Sequence, residues 1–293
     1  MATVLSPREL AFYSGDLFNK GYLHEAWKAY SYREVVYWGD TGRILPMPRW
    51  TGQPLKGKRL VLTYEQALGE QIMFASMVPD LLEAGAELTI EVDARLVALF
   101  QRSFPTCTIV PWQSPWHPEV YKGDYYCLSG NPGLRIRDHT KKFPTTKAHL
   151  KAEKSKYTEK CVGISWYSPA LRFGKSKSIQ FSDFEPLLNS DKFKCLNLQY
   201  SIPAPEGSNI VTLEGLDLTN DMDGVAREIS GCEKVVTISN TVAHLAGALG
   251  VPTYLLISPD HHWYLDLPFY PSVKRVINSD PSRWKELISH FTK

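Results

Sequence analysis

Three small polar residues stand where an apolar run gives way to a segment of small residues: Ser239, Asn240 and Thr241. These residue types commonly cap the N-terminus of a helix. The free N–H groups of a first helical turn, together with the positive end of the helix dipole, suit an anion, most often a phosphate. The pattern therefore indicates either a phosphate-binding turn or an ordinary capped helix of an α/β core, and both interpretations stay open.

One helical turn further along stands His244, the ionisable residue of the segment 243–249. It could face the same turn, or it could be a hydrogen-bonded histidine of the core. The elements that must position these residues are a strand at 235–238, the helix, and a second strand at 254–257. A strand, a helix and a strand in this order form the βαβ unit of a parallel sheet.

Strands and helices alternate along most of the chain, which predicts an α/β fold with parallel sheets. A helical pattern over 7–38 is broken at Gly21 and predicts a helical hairpin, and a linker rich in glycine and proline follows at 41–58. The further strands are predicted at 59–64, 87–92, 106–110, 125–128, 161–166, 193–198 and 210–213, and the further helices at 71–84, 94–101, 182–188, 222–230 and 281–291.

Composition narrows the class of protein. The chain has 293 residues, of which 43% are hydrophobic and 22% charged, and its net charge is +2. Such a balance gives no electrostatic reason to expect nucleic acid or a membrane surface as a partner, and no apolar run approaches the length of a membrane span. The five cysteines have no CxxC spacing, and the N-terminus lacks a signal-peptide pattern. We therefore expect a cytoplasmic protein without disulfides or a zinc cluster.

Two longer motifs carry a resemblance to a known family. The segment 65–92, EQALGEQIMFASMVPDLLEAGAELTIEV, resembles the start of the glycosyltransferase-like module that follows tetratricopeptide repeats in many bacterial proteins. The segment 239–256, SNTVAHLAGALGVPTYLL, resembles the second hallmark of that module. Shorter matches to the family are CVGISW at 161–166, LNLQ at 196–199, LPFYPSVKR at 267–275 and a repeat-like helix pair at 17–35.

The module is related to heptosyltransferases and to O-linked N-acetylglucosamine transferase, so the resemblance implies a GT-B fold, with two Rossmann-like domains facing a cleft. It implies a helical hairpin and linker at 1–50, an acceptor domain at 51–150 and a nucleotide-sugar donor domain at 151–293. The last helix is placed where it could pack back on the acceptor domain. The implied function is metal-independent transfer of a hexosyl or heptosyl group from a nucleotide-diphospho-sugar, without a cofactor, to an unknown acceptor.

The resemblance also assigns roles to individual residues. Glu70 corresponds to the base that deprotonates the acceptor, with Glu65 as its competitor, although either could simply be a charge favoured near a helix N-terminus. The residues implied in donor or phosphate binding are Gly69, Trp166, Lys177, Gln199, Asn240, Thr241 and His244.

Other polar and aromatic residues near these motifs are less specific. Arg172 and Lys175 are typical of a solvated loop, and Trp112 and Trp116 fit either a sugar-stacking surface or loop packing. His261 and His262, next to Trp263, have no third ligand at metal spacing, so no metal site is indicated.

The chain departs from the family at two positions of the candidate site. Asn240 stands where the family has an aspartate, and Glu70 replaces an aspartate with a longer carboxylate. The loss of an acid at position 240 and the single repeat-like hairpin favour an alternative, a non-catalytic nucleotide-sugar or glycan-binding module. A second alternative is a sugar-nucleotide epimerase on the same fold, which would need more carboxylates and histidines in the cleft than the sequence places there.

Overall fold

The computed structural model describes residues 6–33, 45–113, 117, 121–144, 148–155, 157, 159–170, 174–258 and 267–292. The chain divides into two compact units. The first comprises Met1–Thr145 and His262–Phe269, and the second comprises Thr146–His261 and Tyr270–Lys293. Each unit is built on its own parallel sheet, so the predicted α/β class is confirmed.

The strands are as follows. Those of the first unit are β1 (Lys58–Thr63), β2 (Ala86–Val92), β3 (Thr108–Pro111) and β4 (Tyr125–Leu128). Those of the second unit are β5 (Cys161–Ser165), β6 (Lys194–Asn197), β7 (Ile210–Val211), β8 (Lys234–Ile238), β9 (Thr253–Ile257) and β10 (Val273–Ile277).

The α-helices of the first unit are α1 (Pro7–Asn19), α2 (Leu23–Ser31), α3 (Leu68–Phe74), α4 (Val78–Glu83), α5 (Val97–Ser103) and α6 (Gly133–Ile136). Those of the second unit are α7 (Gly174–Lys177), α8 (Glu185–Leu188), α9 (Met222–Ser230), α10 (Thr241–Ala248) and α11 (Trp284–Ser289). Short 3-10 turns lie at Ala75–Met77, Ala94–Leu96, Thr140–Lys142, Phe181–Phe184, Pro281–Arg283 and His290–Thr292.

The sheet of the first unit has the strand order β3-β2-β1-β4, and its neighbouring strands run parallel. The inner strand β1 begins with the exposed Lys58 and Arg59 and continues with Leu60, Val61 and Leu62, which are buried, as a strand covered on both faces requires. Because the strands are parallel, the residues that follow their carboxyl ends lie along one edge. This carboxyl edge is where ligands bind in open α/β sheets.

The sheet of the second unit has the order β10-β9-β8-β5-β6-β7, and it too is parallel throughout its described pairs. Strands β5 and β8 lie in the middle, and their apolar side chains form one core with Trp166 and Phe184. The same core contains Trp284 and Ile288 of α11. The apolar face of the last helix therefore packs on the core of the second unit, and its packing on the N-terminal domain stays a prediction.

Helices α1 and α2 pack against each other on either side of Gly21, whose φ of +78° suits glycine. The indole N–H of Trp27 donates to the carbonyl of Arg137 at 2.9 Å, which attaches α2 to the segment after α6. Gly133 allows this approach, because a Cβ atom there would lie 2.6 Å from the Trp27 ring. Along the part of the chain that the structure describes, no helix is long and apolar enough to cross a membrane.

The predicted helix at 71–84 is wrong in its continuity. The structure has α3, a 3-10 turn and α4 instead, with Pro79 in the first turn of α4. A proline lacks the N–H that a continuous helix needs at this place and its ring crowds the preceding turn, so the helix is interrupted.

Candidate functional site

The turn between β8 and α10 is capped by Asn240, as its sequence predicted. The side-chain oxygen of Asn240 accepts hydrogen bonds from the backbone N–H of Val242 at 3.1 Å and of Ala243 at 3.4 Å. Its amide nitrogen donates to the hydroxyl oxygen of Ser165 at 2.8 Å. Both ends of this buried amide are thus used, one for the helix and one for the end of β5.

The hydroxyl of Ser165 continues the contact to Gln199, which follows β6. Ser165 donates to the Gln199 side-chain oxygen at 3.1 Å, and that oxygen also accepts from the backbone N–H of Trp166 at 2.9 Å and of Tyr167 at 2.8 Å. The Gln199 amide nitrogen donates to the carbonyls of Tyr167 and Tyr200. Gln199 therefore fixes the loops after β5 and β6, and its predicted contact with a ligand stays a prediction.

Thr241 opens α10 and is half-buried at the carboxyl edge. Burial raises the pKa of Tyr200, and interactions with the side chain and backbone of Thr241 oppose the rise, so the Tyr200 hydroxyl lies close to the start of α10. The Tyr200 oxygen is thus near the N–H group that an anion at this helix start would use. Beside it, the hydroxyl of Ser239 is buried without a hydrogen-bond partner among the described atoms.

Lys177 ends α7, and two serines place this short helix. The Ser178 hydroxyl accepts from the backbone N–H of Ser168, after β5, at 3.0 Å. The Ser258 hydroxyl, after β9, donates to the carbonyl of Ser176 at 2.8 Å. Since β5 and β9 are the two neighbours of β8 in the sheet, α7 is attached on both sides of the strand that leads to Thr241. Lys177 therefore lies in a segment at the same edge.

His244 and Trp166 are held inside the second unit. The His244 ring is 5% exposed, and its Nδ1 lies 2.9 Å from the hydroxyl of Tyr270. Tyr270 in turn stacks on His149 with ring centroids 6.0 Å apart. The Trp166 ring packs edge-on against Phe181 in the core. This position favours the core interpretation of His244, and the contact of His244 and Trp166 with a donor stays a prediction.

In the first unit, Glu65 lies two residues after the end of β1, and both of its carboxylate oxygens accept hydrogen bonds from neighbouring groups. Its two oxygens accept from Nε and Nη2 of Arg33, both at 2.6 Å, and the side chains of this pair are 0% and 4% exposed. The Ser129 hydroxyl and the Gly130 N–H, after β4, also donate to Glu65. This ion pair anchors the end of α2 to the carboxyl edge of the first sheet.

Glu70 is the third residue of α3, after the buried Gly69, and it is half-buried. Burial raises the pKa of Tyr30 well above its ordinary value, and the negative charges of Glu65 and Glu70 add to that rise. The charge of Glu70, in the first turn of α3, thus acts on the buried Tyr30 hydroxyl. Of the two candidate bases, Glu70 is the more accessible.

Backbone strain marks the loops that carry these residues. Gln66 and Ser201 are the non-glycine residues of the described chain with a left-handed φ, at +55° and +75°. Gln66 lies between Glu65 and Glu70, and Ser201 follows Tyr200. Strain of this kind persists where the surroundings dictate the conformation, and it concentrates at functional sites. Each unit therefore has one strained loop at its carboxyl edge, beside its candidate residues.

Several predicted residues fall elsewhere. Lys175 is exposed on α7, as expected for a solvated position. Trp112 is 41% exposed and stacks on Tyr64. Among the residues that the structure describes, no group of three histidine, cysteine or acidic side chains could hold a metal ion. The predictions for Trp116, Arg172, His261, His262 and Trp263 lie outside the described residues.

Sequence reasoning missed Ser165, Tyr200, Arg33 and Tyr30, which complete the two sites. Ser165 and Tyr200 each stand at or just after the end of a predicted strand, and that position was the available signal. Arg33 and Tyr30 belong to the preceding helical segment, and no local pattern relates them to Glu65.

We compared the chain with known proteins. No family model matches it. The curated protein FlbA of Caulobacter vibrioides is 32% identical over 305 aligned residues, which are 90% of this chain and 51% of FlbA. The chain thus spans about half the length of this curated relative.

Among solved structures, heptosyltransferase II of E. coli has a TM-score of 0.54 at 12% identity, covering 80% of this chain and 98% of that one. A family 9 glycosyltransferase from Veillonella parvula has a TM-score of 0.52 at 12% identity, covering 82% and 91%. The dodecameric iron-containing heptosyltransferase TibC, solved with ADP-D-β-D-heptose, has 0.53 at 12%, covering 81% and 74%. The chain shares its α/β fold with these glycosyltransferases.

Replacing Asn240 with alanine is expected to lower the free energy of unfolding by about 1–2 kcal/mol, because it removes the helix cap and the donor to Ser165. Asn240→Asp keeps the cap and is expected to lose less. Urea denaturation measures both, and Asn209→Ala, at an exposed asparagine of the same unit, is the control at about 0.5 kcal/mol or less. If Asn240→Ala and Asn209→Ala lowered the free energy of unfolding equally, the hydrogen bonds of Asn240 would not stabilise the fold.

Proposed function

We propose that the chain is a metal-independent glycosyltransferase of the GT-B type, which moves a sugar from a nucleotide-diphospho-sugar to an acceptor still to be identified. The observation that carries the proposal is the capped turn between β8 and α10 at the carboxyl edge of a parallel sheet, in a chain that shares its fold with heptosyltransferases. In this proposal the second unit binds the donor and the first unit binds the acceptor.

The leaving group of such a reaction is a nucleoside diphosphate, whose growing negative charge must be neutralised. Thr241 offers its hydroxyl and its own N–H at the start of α10, where the helix dipole favours an anion, while Asn240 caps the next two N–H groups. Lys177, in the segment attached on both sides of β8, would supply a positive charge to a phosphate oxygen. The ADP-D-β-D-heptose in the TibC structure supports a nucleotide-diphospho-heptose as the class of donor.

The acceptor side requires a base, and we assign this role to Glu70. Its carboxylate would take the proton of the acceptor hydroxyl while that oxygen attacks the anomeric carbon. The bond from the anomeric carbon to the diphosphate oxygen breaks, and its electron pair leaves with the diphosphate. Glu65 is bound to Arg33 by both oxygens, so its proposed part is to hold the loop that carries Glu70.

A non-catalytic binding module is the second candidate, and Asn240 favours it. The amide carries no charge where the resemblance expects a carboxylate, and both of its ends are used in structural contacts. This candidate predicts binding of a nucleotide-sugar without turnover.

All five cysteines are free thiols, which supports the further proposal of a reducing, cytoplasmic compartment.

The proposed donor site predicts that a nucleoside diphosphate binds and that Lys177→Ala weakens its affinity about ten- to hundredfold, the loss of one charge-assisted hydrogen bond. A thermal-shift screen of ADP, UDP and GDP, each with and without an attached sugar, identifies the nucleotide. Isothermal titration of the best nucleotide then compares the variants.

Lys175→Ala is the matched control, because Lys175 is exposed on the same helix. Its affinity is expected to stay within about twofold of the parent protein, as for a surface charge. If no nucleoside diphosphate binds at millimolar concentration, or if both lysine variants lose affinity equally, the donor site is wrong. If the chain binds a nucleotide-sugar but forms no free nucleoside diphosphate from it, the result would favour the binding module.

A further inference from the structure

We propose that the carboxyl edge of the first sheet carries a sugar-binding shelf, formed by the stacked rings of Tyr64 and Trp112 with the ion pair of Asp93 and Arg95, which holds a pyranose ring of the acceptor. Only the assignment of this sugar as the acceptor rests on the proposed function, because the shelf itself is a feature of the first unit. It names the acceptor as a carbohydrate.

The two rings follow two strands that lie on either side of β2. Tyr64 follows β1 and Trp112 follows β3, and β2 lies between these strands in the sheet. Their ring centroids are 5.2 Å apart at an interplanar angle of 25°, so the rings lie face to face across the end of β2. Trp112 is 41% exposed, and so large an apolar ring held at a ligand-binding edge indicates a contact surface.

The backbone on both sides of the shelf is fixed by β2. The N–H of Trp112 donates to the carbonyl of Val92 at 2.7 Å. The N–H of Tyr64 donates to the carboxylate of Glu91 at 2.8 Å, and the hydroxyl of Tyr121 donates to the other oxygen of that buried carboxylate. The rings are therefore positioned before any ligand arrives, which lowers the entropy lost on binding.

A charged pair borders the rings. Nε and Nη2 of Arg95 donate to the two carboxylate oxygens of Asp93 at 2.8 and 2.9 Å, and the side chains of both residues are partly exposed. The hydrogen bond from Arg95 holds the pKa of Asp93 below its ordinary value, so the carboxylate is ionised at neutral pH. Asp93 directly follows β2, the strand between those that lead to the two rings. Burial raises the pKa of Tyr64, and the charge of Asp93 raises it further.

A flat apolar surface beside a fixed acceptor and a fixed donor matches the two sides of a pyranose. The C–H face of such a ring is apolar and packs on an aromatic surface, while its hydroxyl rim both donates and accepts hydrogen bonds. An anion would be repelled by Asp93, and a lipid tail would cover these charged groups without hydrogen-bonding them. The shelf is tied to the proposed base, because the side-chain oxygen of Gln71, next to Glu70, accepts from the N–H of Asp93 at 2.9 Å.

The test uses saturation-transfer NMR of the full chain with methyl pyranosides of glucose, galactose, mannose and N-acetylglucosamine as probes. At least one probe is expected to receive saturation at its ring C–H protons. Trp112→Ala and Asp93→Asn are each expected to weaken its affinity about tenfold or more, whereas Trp112→Phe, which keeps a ring, is expected to weaken it less. Phe12→Ala removes another exposed ring of the same unit, from α1, and is expected to change nothing.

The outcomes separate the shelf from the donor site. No transfer to any pyranoside, transfer that persists in Trp112→Ala, or transfer to free adenosine in place of the pyranosides overturns the shelf. ADP binding, measured on the same samples by thermal shift, reports the second unit. ADP binding without pyranoside binding leaves the proposed function standing and the shelf wrong. Pyranoside binding that depends on Trp112, without nucleotide binding, supports the shelf and contradicts the donor site.

Discussion

Replacing Glu70 with glutamine is expected to lower the rate of sugar transfer about 10²- to 10⁴-fold, the range that a general base contributes. The amide has nearly the shape of the carboxylate and can still hydrogen-bond the acceptor, but it cannot take a proton at neutral pH. Nucleoside diphosphate affinity is expected to stay unchanged, because that ligand is assigned to the second unit. The rate is measured as nucleotide released from the nucleotide-sugar found in the thermal-shift screen, with acceptor present.

Glu83→Gln is the matched control for this experiment. Glu83 is an exposed glutamate at the end of α4 in the same unit, so the substitution changes the net charge equally. It should leave the rate within about twofold, as expected for a surface position. Full activity of Glu70→Gln would refute the assigned base. An equal loss in both variants would trace the effect to net charge.

The largest effect on stability is expected at the ion pair of Arg33 and Glu65. Glu65→Ala leaves a buried guanidinium without its partner, and such a change lowers the free energy of unfolding by about 3–5 kcal/mol. The loss has a second source, because the hydroxyl of Ser129 and the N–H of Gly130 also lose their acceptor. Urea denaturation followed by circular dichroism measures the change.

Two comparisons make this prediction specific. The double variant Arg33→Met with Glu65→Leu removes both charges and should recover much of the loss, since an apolar pair can replace a buried ion pair. Lys285→Ala breaks an exposed pair with Glu185 and should lower stability by about 1 kcal/mol or less. A Glu65→Ala variant as stable as Lys285→Ala would show that the pair is not a structural anchor.

Local signals predicted the turn between β8 and α10. One of the three predicted cap residues, Asn240, caps the helix, and Gly250 follows the end of α10 with a φ of +76°. Both signals lie within a few residues of the feature that they determine, so a single sequence contains them. The alternation of strands and helices likewise sufficed for the parallel sheets.

What the sequence could not supply is contact between distant residues. Ser165 and Asn240 are 75 positions apart, and Arg33 and Glu65 are 32 apart, with no pattern that relates their side chains. Glu65 and Glu70 therefore appear equivalent in the sequence, because both stand in the loop and first turn after β1. Only the approach of α2, which brings Arg33 to this edge, distinguishes a buried structural acid from an accessible one.

Strand β10 was also not predicted, and its position explains why. It is the edge strand of its sheet, and Lys274 and Arg275 are exposed in the middle of it. Charged residues are common on edge strands, where they discourage pairing with other chains. They also remove the apolar pattern by which strands are recognised from sequence.

The hydroxyl of Tyr200 would give the proposed donor site an internal competitor. Because this hydroxyl lies close to Thr241, an incoming phosphate would exchange places with a side chain as well as with water. The measured affinity would then be a difference between two sets of contacts at the same helix start. Asn240 caps the helix with or without a ligand, so the folded chain does not depend on its ligand to complete this turn.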